Sequence, residues 1–388
     1  MLLTIISFII VLSLLVFVHE LGHFWTARKF GVKAEEFGFG FPPRIYGVYK
    51  DNNGQWKTVR GKKEVKDAPG TVYSINWIPL GGFVKIKGEN GENEDEKDSF
   101  AGRKIWQRAS ILSAGVVMNI FLAAVLISIG LMVGLPQSLD NDISDKAVIT
   151  DRKIQVVEVL PESPAETAGL KMADIIISIN NQRFNIEEDL QNYVAERSGQ
   201  ELNYKIKRGQ VEMNFNITPE VRADTNKGGV GIAIAATGLV KYPWHIAIGE
   251  GFKTTIFLVW YIIVAFYELI KGLIFGQGVS GDIAGPVGIA VFTGQVARMG
   301  FIYLMQFTAL LSINLAIINF LPFPALDGGR VLFLIIEKIK GSPVKREIEN
   351  IIHNIGFSLL MILVLIVTFK DVARFGDLFR NLWEKIAG

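Results

Sequence analysis

The sequence predicts a polytopic α-helical membrane protein with about four transmembrane helices, a membrane-associated β-hairpin or sheet, and an inserted α+β domain. Three observations carry this expectation. Apolar runs of bilayer length recur along the 388 residues. Half of all residues are hydrophobic, and the mean hydropathy of +0.33 lies between that of a soluble chain and that of one wholly in lipid. A stretch of alternating, turn-punctuated residues separates the second run from the third.

The first span covers residues 1–25, with its apolar run from Leu2. No Lys or Arg precedes it and no small-residue cleavage site follows, so it reads as a retained helix rather than a signal peptide. The second covers 108–135 and the third 301–327. The fourth, 351–370, contains the dense run from Leu359 to Val367. Within 245–300 the segment Thr254 to Tyr267 is apolar for only 14 residues before it meets Glu268 and Lys271, which fits an amphipathic, interfacial or re-entrant helix better than a crossing. The tail 371–388, with Arg374, Arg380 and Lys385, reads as an amphipathic helix.

Loop charge sets orientation. The loop 26–107 holds the sixteen Lys and Arg from Arg28 to Arg108 that include its flanking residue, and the loop 328–350 adds Arg330, Lys338, Lys340, Lys345 and Arg346. Both are expected in the cytoplasm, which leaves the N-terminus and 136–250 outside.

Residues 150–235 read as a compact domain. Ile154 to Val159 alternates like a strand, Ser163 to Leu170 reads as a short capped helix ending at Gly169, and Asp174 to Asn180 as a second strand closed by Asn180-Asn181. An amphipathic helix over Ile186 to Arg197 and two strands around Arg208-Gly209 follow. This order, and above all Ser-Pro-Ala-x-x-Ala-Gly-Leu, resembles a PDZ domain of the circularly permuted bacterial type. That family usually has glycine where Ala173 stands. The resemblance implies capture of peptide C-termini by strand addition, with Gly229, Val230, Gly231 and Ile232 as the carboxylate-binding turn, or exclusion of substrates that keep a bulky ectodomain.

The chemistry is concentrated at His19-Glu20-Leu21-Gly22-His23, at the end of the first span. Two imidazoles four residues apart share a helix face and can reach one zinc ion, and the glutamate between them can take a proton from water activated there. Such groups at membrane depth are costly and mark function. The chain has four histidines and no cysteine, so zinc must be held by His and carboxylate. Asp327, at the end of the third span and on the same membrane side by parity, is the candidate third ligand. Pro322 and Pro324 break the helix before it, and Gly328 and Gly329 allow a sharp turn. Alone, this pattern also suits a span ending with Asp327 as its cap. Val72 to Lys87 reads as a hairpin whose exposed edge, near Gly81, Gly82 and Phe83, is suited to pair with an unwound substrate. Asn314 and Asn319 are intramembrane amides that either meet substrate or bond between helices; Asn119 reads as a packing residue.

Together, His-Glu-x-x-His on a first span, Asn-x-x-Pro…Leu-Asp-Gly on a later one, and the PDZ-like insert resemble the site-2 protease family of intramembrane zinc metalloproteases, in its bacterial single-PDZ branch. The resemblance implies one Zn²⁺ per chain on His19, His23 and Asp327, and Glu20 as the base. It further implies regulated intramembrane proteolysis of single-pass membrane proteins, such as anti-sigma factors or remnant signal peptides. The expected site is the bacterial cytoplasmic (inner) membrane, with the active site near the cytoplasmic side. The net charge of +2 and the lack of a basic block interleaved with aromatics point away from nucleic acid. The competing readings are a zinc-handling membrane transporter and a catalytically idle scaffold.

Overall fold

The computed structural model describes residues 2–61, 63, 65, 68–91, 95–139, 143–144, 146–209, 211–221, 228–276, 284–374 and 376. By contacts the chain forms two units, residues 1–128 with 248–388, and residues 129–247.

Helix α1 (Leu2–Lys29) is apolar all round, and ends on Arg28 and Lys29. A helix satisfies all its backbone groups internally, the condition for standing in hydrocarbon. Its one side buries Val11, Leu15, His19 and His23, while Leu2, Ile5, Ile6 and Ile10 are exposed. Strands β1 (Ala34–Lys50), β2 (Trp56–Arg60) and β3 (Val72–Ile86) form a sheet in the order β2-β1-β3. Helix α2 (Ile105–Val133) follows.

The sheet corrects the expected hairpin. Val72–Ile86 does fold back on itself, but its legs do not pair with each other. Residues 36–39 of β1 lie between them, with Phe37 opposite both Tyr73 and Val84, and Gly38 opposite both Ser74 and Phe83. The reason is steric: a Cβ on Gly38 would run into Ser74 Oγ and come within 2.8 Å of Asn76 Nδ2, so only glycine lets β1 enter this slot. Among the described residues no strand pairs with the far side of 82–86.

The unit 129–247 carries β4 (Leu135–Ser138), β5 (Val148–Val159), α3 (Pro164–Ala168), β6 (Ile175–Ile179), α4 (Glu187–Ala195), β7 (Leu202–Arg208), β8 (Val211–Ile217), β9 (Glu220–Val221), β10 (Gly228–Gly229) and β11 (Ile232–Lys241). Its main sheet runs β4-β11-β5-β6-β7-β8 over a core that includes Ile154, Val156, Leu190, Tyr204 and Val230. Ser163 Oγ accepts from Glu166 N at 3.2 Å to start α3, and Gly169, at φ +90°, ends it. Ala173 sits at φ +73°, the left-handed conformation that glycine adopts without steric cost. The turn serves Asp174, which is fully buried and takes Arg208 Nε and Nη2 at 2.7 Å each.

The last segment holds α5 (Trp244–Ile274), α6 (Pro286–Met299), α7 (Phe301–Phe320), α8 (Asp327–Lys340) and α9 (Arg346–Arg374). The 14-residue apolar stretch therefore belongs to a 31-residue helix. Its backbone continues through the mixed residues on either side because they include no proline, so apolarity underestimated its length. Among the described residues five helices are long and apolar enough to cross a membrane: α1, α2, α5 over Trp244–Gly272, α7 and α9. The tail expected over 371–388 begins as the end of α9 and otherwise lies outside the described residues, Gly376 apart. A cluster of Ala27, Val32, Ile86, Phe100, Ile111, Leu112 and Leu334 joins α1, β3, α2 and α8. An Arg108–Glu337 ion pair at 2.5 Å joins α2 to α8 beside it.

Candidate metal centre

On α1, His19 and His23 project from one face, each 6 % exposed, with ring centroids 4.8 Å apart and nearly perpendicular. Glycine on α2 makes room for them: a Cβ at Gly115 would lie 2.5 Å from His23 Nε2 and 2.6 Å from His19 Cε1. Gly22 performs the reciprocal service, since a Cβ there would run into the Ala114 carbonyl.

Asp327 reaches the same point from the break after α7. That helix stops at Phe320, Pro322 and Pro324 prevent its continuation, and Ala325 turns the chain at φ +78° so that Asp327 opens α8. Gly328 and Gly329 are required by proximity: any Cβ would strike the carbonyls of Phe320, Leu321 and Phe323. Gly356 of α9 packs on Pro324, and His353 Nδ1 accepts the Ala325 N–H at 2.8 Å.

Three candidate ligand atoms converge. His19 Nε2 lies 3.0 Å from Asp327 Oδ2, His23 Nε2 lies 3.1 Å from His19 Nε2, and His23 Nε2 lies 3.4 Å from Asp327 Oδ2. A tetrahedral zinc with ligands at about 2.05 Å holds them roughly 3.3 Å apart, so the triangle fits one face of such a site. The surrounding hydrogen bonds fit too. His23 Nδ1–H donates to the Ile111 carbonyl at 2.8 Å, which leaves Nε2 with its lone pair free for a metal. His19 Nδ1 faces the Asn119 side-chain amide at 3.4 Å, and Asn119 Oδ1 is a buried acceptor with no other donor. A half-turn of that amide gives the His19 N–H its acceptor. These residues fit a zinc ion held by two imidazoles and a carboxylate.

Glu20 lines a cavity of about 190 Å³ together with Val16, His19, Leu315, Asn319, Ala325, Leu326 and Asp327. Its Oε2 accepts the Val84 N–H at 3.2 Å. Asn319 is in the cavity, with Nδ2 3.5 Å from His19 Nε2. Asn314 is turned away, its amide donating to Leu310 O of its own helix at 3.0 Å. Gly81 and Gly82 are buried against α1: a Cβ on Gly81 would collide with Val16, and one on Gly82 would come within 3.2 Å of Phe17 Cα. They bring the strand onto the helix, and Phe83 packs beside Gly38.

In the other unit, Gly229 belongs to β10, Val230 is 3 % exposed in the core, Gly231 turns at φ +78°, and Ile232 opens β11. The Val230 and Gly231 carbonyls accept Ala165 N and Leu160 N at 2.9 Å each, so the turn is anchored on one side.

Sequence reasoning missed Val84, whose backbone N–H carries no side-chain signature, and His353, a lone histidine at the polar start of a span. Asn119, read as packing, and Gly115, four residues before it on the same helix face, both lie against the imidazoles; that spacing was the available signal.

The model of peptidase family M50 matches residues 7–60 and 63–363. The zinc metalloprotease RasP of Geobacillus kaustophilus is 32% identical, over 96% of this chain and 98% of that one. The regulator of sigma-W protease RasP of Bacillus subtilis is 30% identical over the same shares. A crystal structure of the PDZ domain of an SdrC-like protein from Listeria innocua superposes on 21% of this chain and 92% of its own, with 25% identity and a TM-score of 0.20.

Proposed function

The chain belongs to peptidase family M50, and from that membership we propose that His19, His23 and Asp327 hold its zinc ion while Glu20 is its general base. As a family member it is a zinc-dependent intramembrane endopeptidase of the site-2 type. The observation that carries the residue assignment is the triangle of His19 Nε2, His23 Nε2 and Asp327 Oδ2, with edges of 3.0 to 3.4 Å, set beside the Glu20 carboxylate.

When bound, zinc supplies Lewis acidity to a peptide carbonyl and lowers the pKa of water to about 7. The chain's own residues do the rest. Glu20 takes the proton of the attacking water and returns it to the departing amine. Asn319, beside His19, is suited to donate to the carbonyl oxygen as charge develops on it. The free side of 82–86 is suited to pair with an unwound substrate segment and replace the hydrogen bonds its helix loses. In this scheme Asn314, Gly81 and Gly82 support the site without touching substrate, and Phe83 sits at the edge.

Contacts at the ends of helices support the proposed domain map. Gly251 of α5 packs on Ser128, nine residues and so roughly 13 Å outward from Asn119 along α2. Gly294 of α6 packs on Thr4, at the end of α1 remote from His23. These contacts favour residues 251 and 294 both in the outer half, with an even number of crossings between them. We read α5 as interfacial and the protein as four spans. Loop charges support a metal centre near the cytoplasmic face of the membrane and a PDZ-like segment 150–235 outside it.

The substrates in this reading are single-pass membrane proteins, anti-sigma factors among them, in line with the Bacillus subtilis relative's name. The PDZ-like turn at Gly229 to Ile232 takes peptide C-termini. Glu20→Gln tests the assignment: cleavage of a reconstituted transmembrane substrate is abolished while one zinc per chain is retained. Full cleavage by this variant would refute the role of Glu20.

A further inference from the structure

We propose that the pocket between the end of α1 and the β-sheet binds the phosphate of an anionic phospholipid headgroup. The inference requires only that α1 crosses the bilayer and does not depend on the metal centre. The cavity, about 500 Å³ in volume, brings Arg28, Lys33 and Lys50 together with Trp56 and Tyr73.

Its depth is set by α1. Arg28 lies in the last turn, where the apolar run ends. Trp25, Trp56 and Tyr73 are 56 %, 62 % and 37 % exposed. Exposed indole and phenol rings at the end of a span mark the headgroup layer, where one edge is apolar and the other wet. The pocket therefore opens where phosphates are.

Its charge is unbalanced in a specific way. Elsewhere on the same sheet Arg44 pairs with Glu36, Lys57 with Asp51 at 3.0 Å and Lys85 with Glu35 at 2.7 Å, while Arg60, without a carboxylate partner among the described residues, lies over the Tyr46 ring at 5.9 Å. Among the described residues no carboxylate pairs with Arg28, Lys33 or Lys50. Their hydrogen-bond and ring partners are neutral. Arg28 donates to Tyr73 Oη at 3.3 Å and lies over the Phe24 ring at 5.4 Å. Lys33 donates to the Ala68 carbonyl at 2.7 Å, and Lys50 lies over Trp56 at 5.2 Å. Such contacts hold the cations in place without cancelling their charge. Asp98, the only carboxylate among the described wall residues, is bound by Lys87 at 2.7 Å and meets Lys33 only as a weaker through-space charge. Converging cations held by neutral groups suit a phosphodiester, whose acceptor oxygens take charge-assisted hydrogen bonds from Arg and Lys together.

The test is native mass spectrometry of the full chain in detergent, titrated with short-chain phosphatidylglycerol, phosphatidylcholine of equal chain length, or inorganic phosphate. The wild type binds phosphatidylglycerol at least tenfold more tightly than phosphatidylcholine. Arg28→Gln and Lys50→Gln each weaken that binding about fivefold, the usual contribution of one cation at a membrane surface. Arg28→Lys retains it, and so does Lys338→Gln, an exposed lysine near the end of α8. An unchanged gel-filtration profile and far-UV circular dichroism spectrum verify that each variant is folded. Equal affinity for the two lipids overturns the proposal, as does an equal effect of Lys338→Gln. Inorganic phosphate binding as tightly as phosphatidylglycerol would make free phosphate the ligand and overturn the lipid assignment.

Discussion

Val84 donates its backbone N–H to Glu20 Oε2 across 3.2 Å, so the sheet orients the proposed base directly. That bond depends on how closely the strand lies on α1, and the closeness depends on glycine. Gly81 stands at φ +105° with Val16 Cγ1 2.6 Å from where its Cβ would be, so Gly81→Ala must lift the strand or bend the helix. Ser13 Oγ, bonded to the Pro79 carbonyl at 2.9 Å, holds the same contact together. We expect Gly81→Ala to lower kcat/KM about a hundredfold, as a displacement near 1 Å does at a catalytic group. Zinc content should be unchanged. Cleavage assays paired with metal analysis measure both, and wild-type turnover would separate the strand from the base.

Gly115→Ala acts on the metal rather than the base. Its methyl would stand 2.5 Å from His23 Nε2, and two rings held between α1 and α2 have nowhere to retreat. The expected result is a folded protein with strongly reduced zinc and correspondingly reduced activity. A variant with one zinc per chain would mean that α2 can yield at this position.

How far the site was legible follows from the kind of information each part carries. His19, Glu20, His23 and Asp327 are side-chain chemistry, and spacing plus span parity brought them together from opposite ends of the chain. The proline and glycine residues around Asp327 announced the helix break, whereas the left-handed turn at Ala173 was not legible from its side chain. What the sequence did not disclose is carried by backbone or by shape. β1 inserts between the legs of β3 because Gly38 is small enough, which no alternation pattern encodes. The length of α5 was hidden because its ends are mixed rather than apolar. Asn314 has the composition of a site residue, yet its rotamer turns it back to Leu310.

Asn119 orients His19, and its effect should appear in metal affinity before it appears in catalysis. With the amide turned so that Oδ1 faces the ring, it would accept the Nδ1–H of His19 and direct Nε2 toward the proposed metal position. Asn119→Leu removes that acceptor and should weaken zinc binding roughly 10- to 100-fold. Asn119→Asp keeps an acceptor and should lose less. Competition with a chelator of known affinity ranks the three proteins, and an unchanged Asn119→Leu would return the residue to a packing role.

Ala173→Gly should stabilise the PDZ-like domain. An alanine at φ +73° costs about 1 kcal/mol relative to glycine, and this turn leads straight into buried Asp174. Glycine's larger unfolded-state entropy offsets part of the gain. The expected result is slower hydrogen exchange of the β6 amides in the intact chain. Faster exchange would show that Lys171 N and Arg208, which also hold Asp174, already fix the turn.

His353 holds Asp327 from a distance. Its Nδ1 accepts the Ala325 N–H at 2.8 Å, and Ala325, at φ +78°, is the strained residue two positions before Asp327. Strain of this kind persists only where neighbours over-determine it. Gly356, one turn along α9, packs on Pro324 and leaves the turn no room to relax outward. Without the imidazole the N–H loses its partner and the turn can rotate, taking Asp327 Oδ2 out of the triangle. His353→Ala should therefore lower both zinc affinity and turnover by about tenfold or more. His353→Asn places an acceptor at nearly the position of Nδ1 and should restore most of each. The comparison isolates the hydrogen bond from the bulk of the ring, because both variants lose the contact of His353 with Phe333. Equal losses in the two would assign the effect to that packing and leave Asp327 held by its glycines and prolines alone.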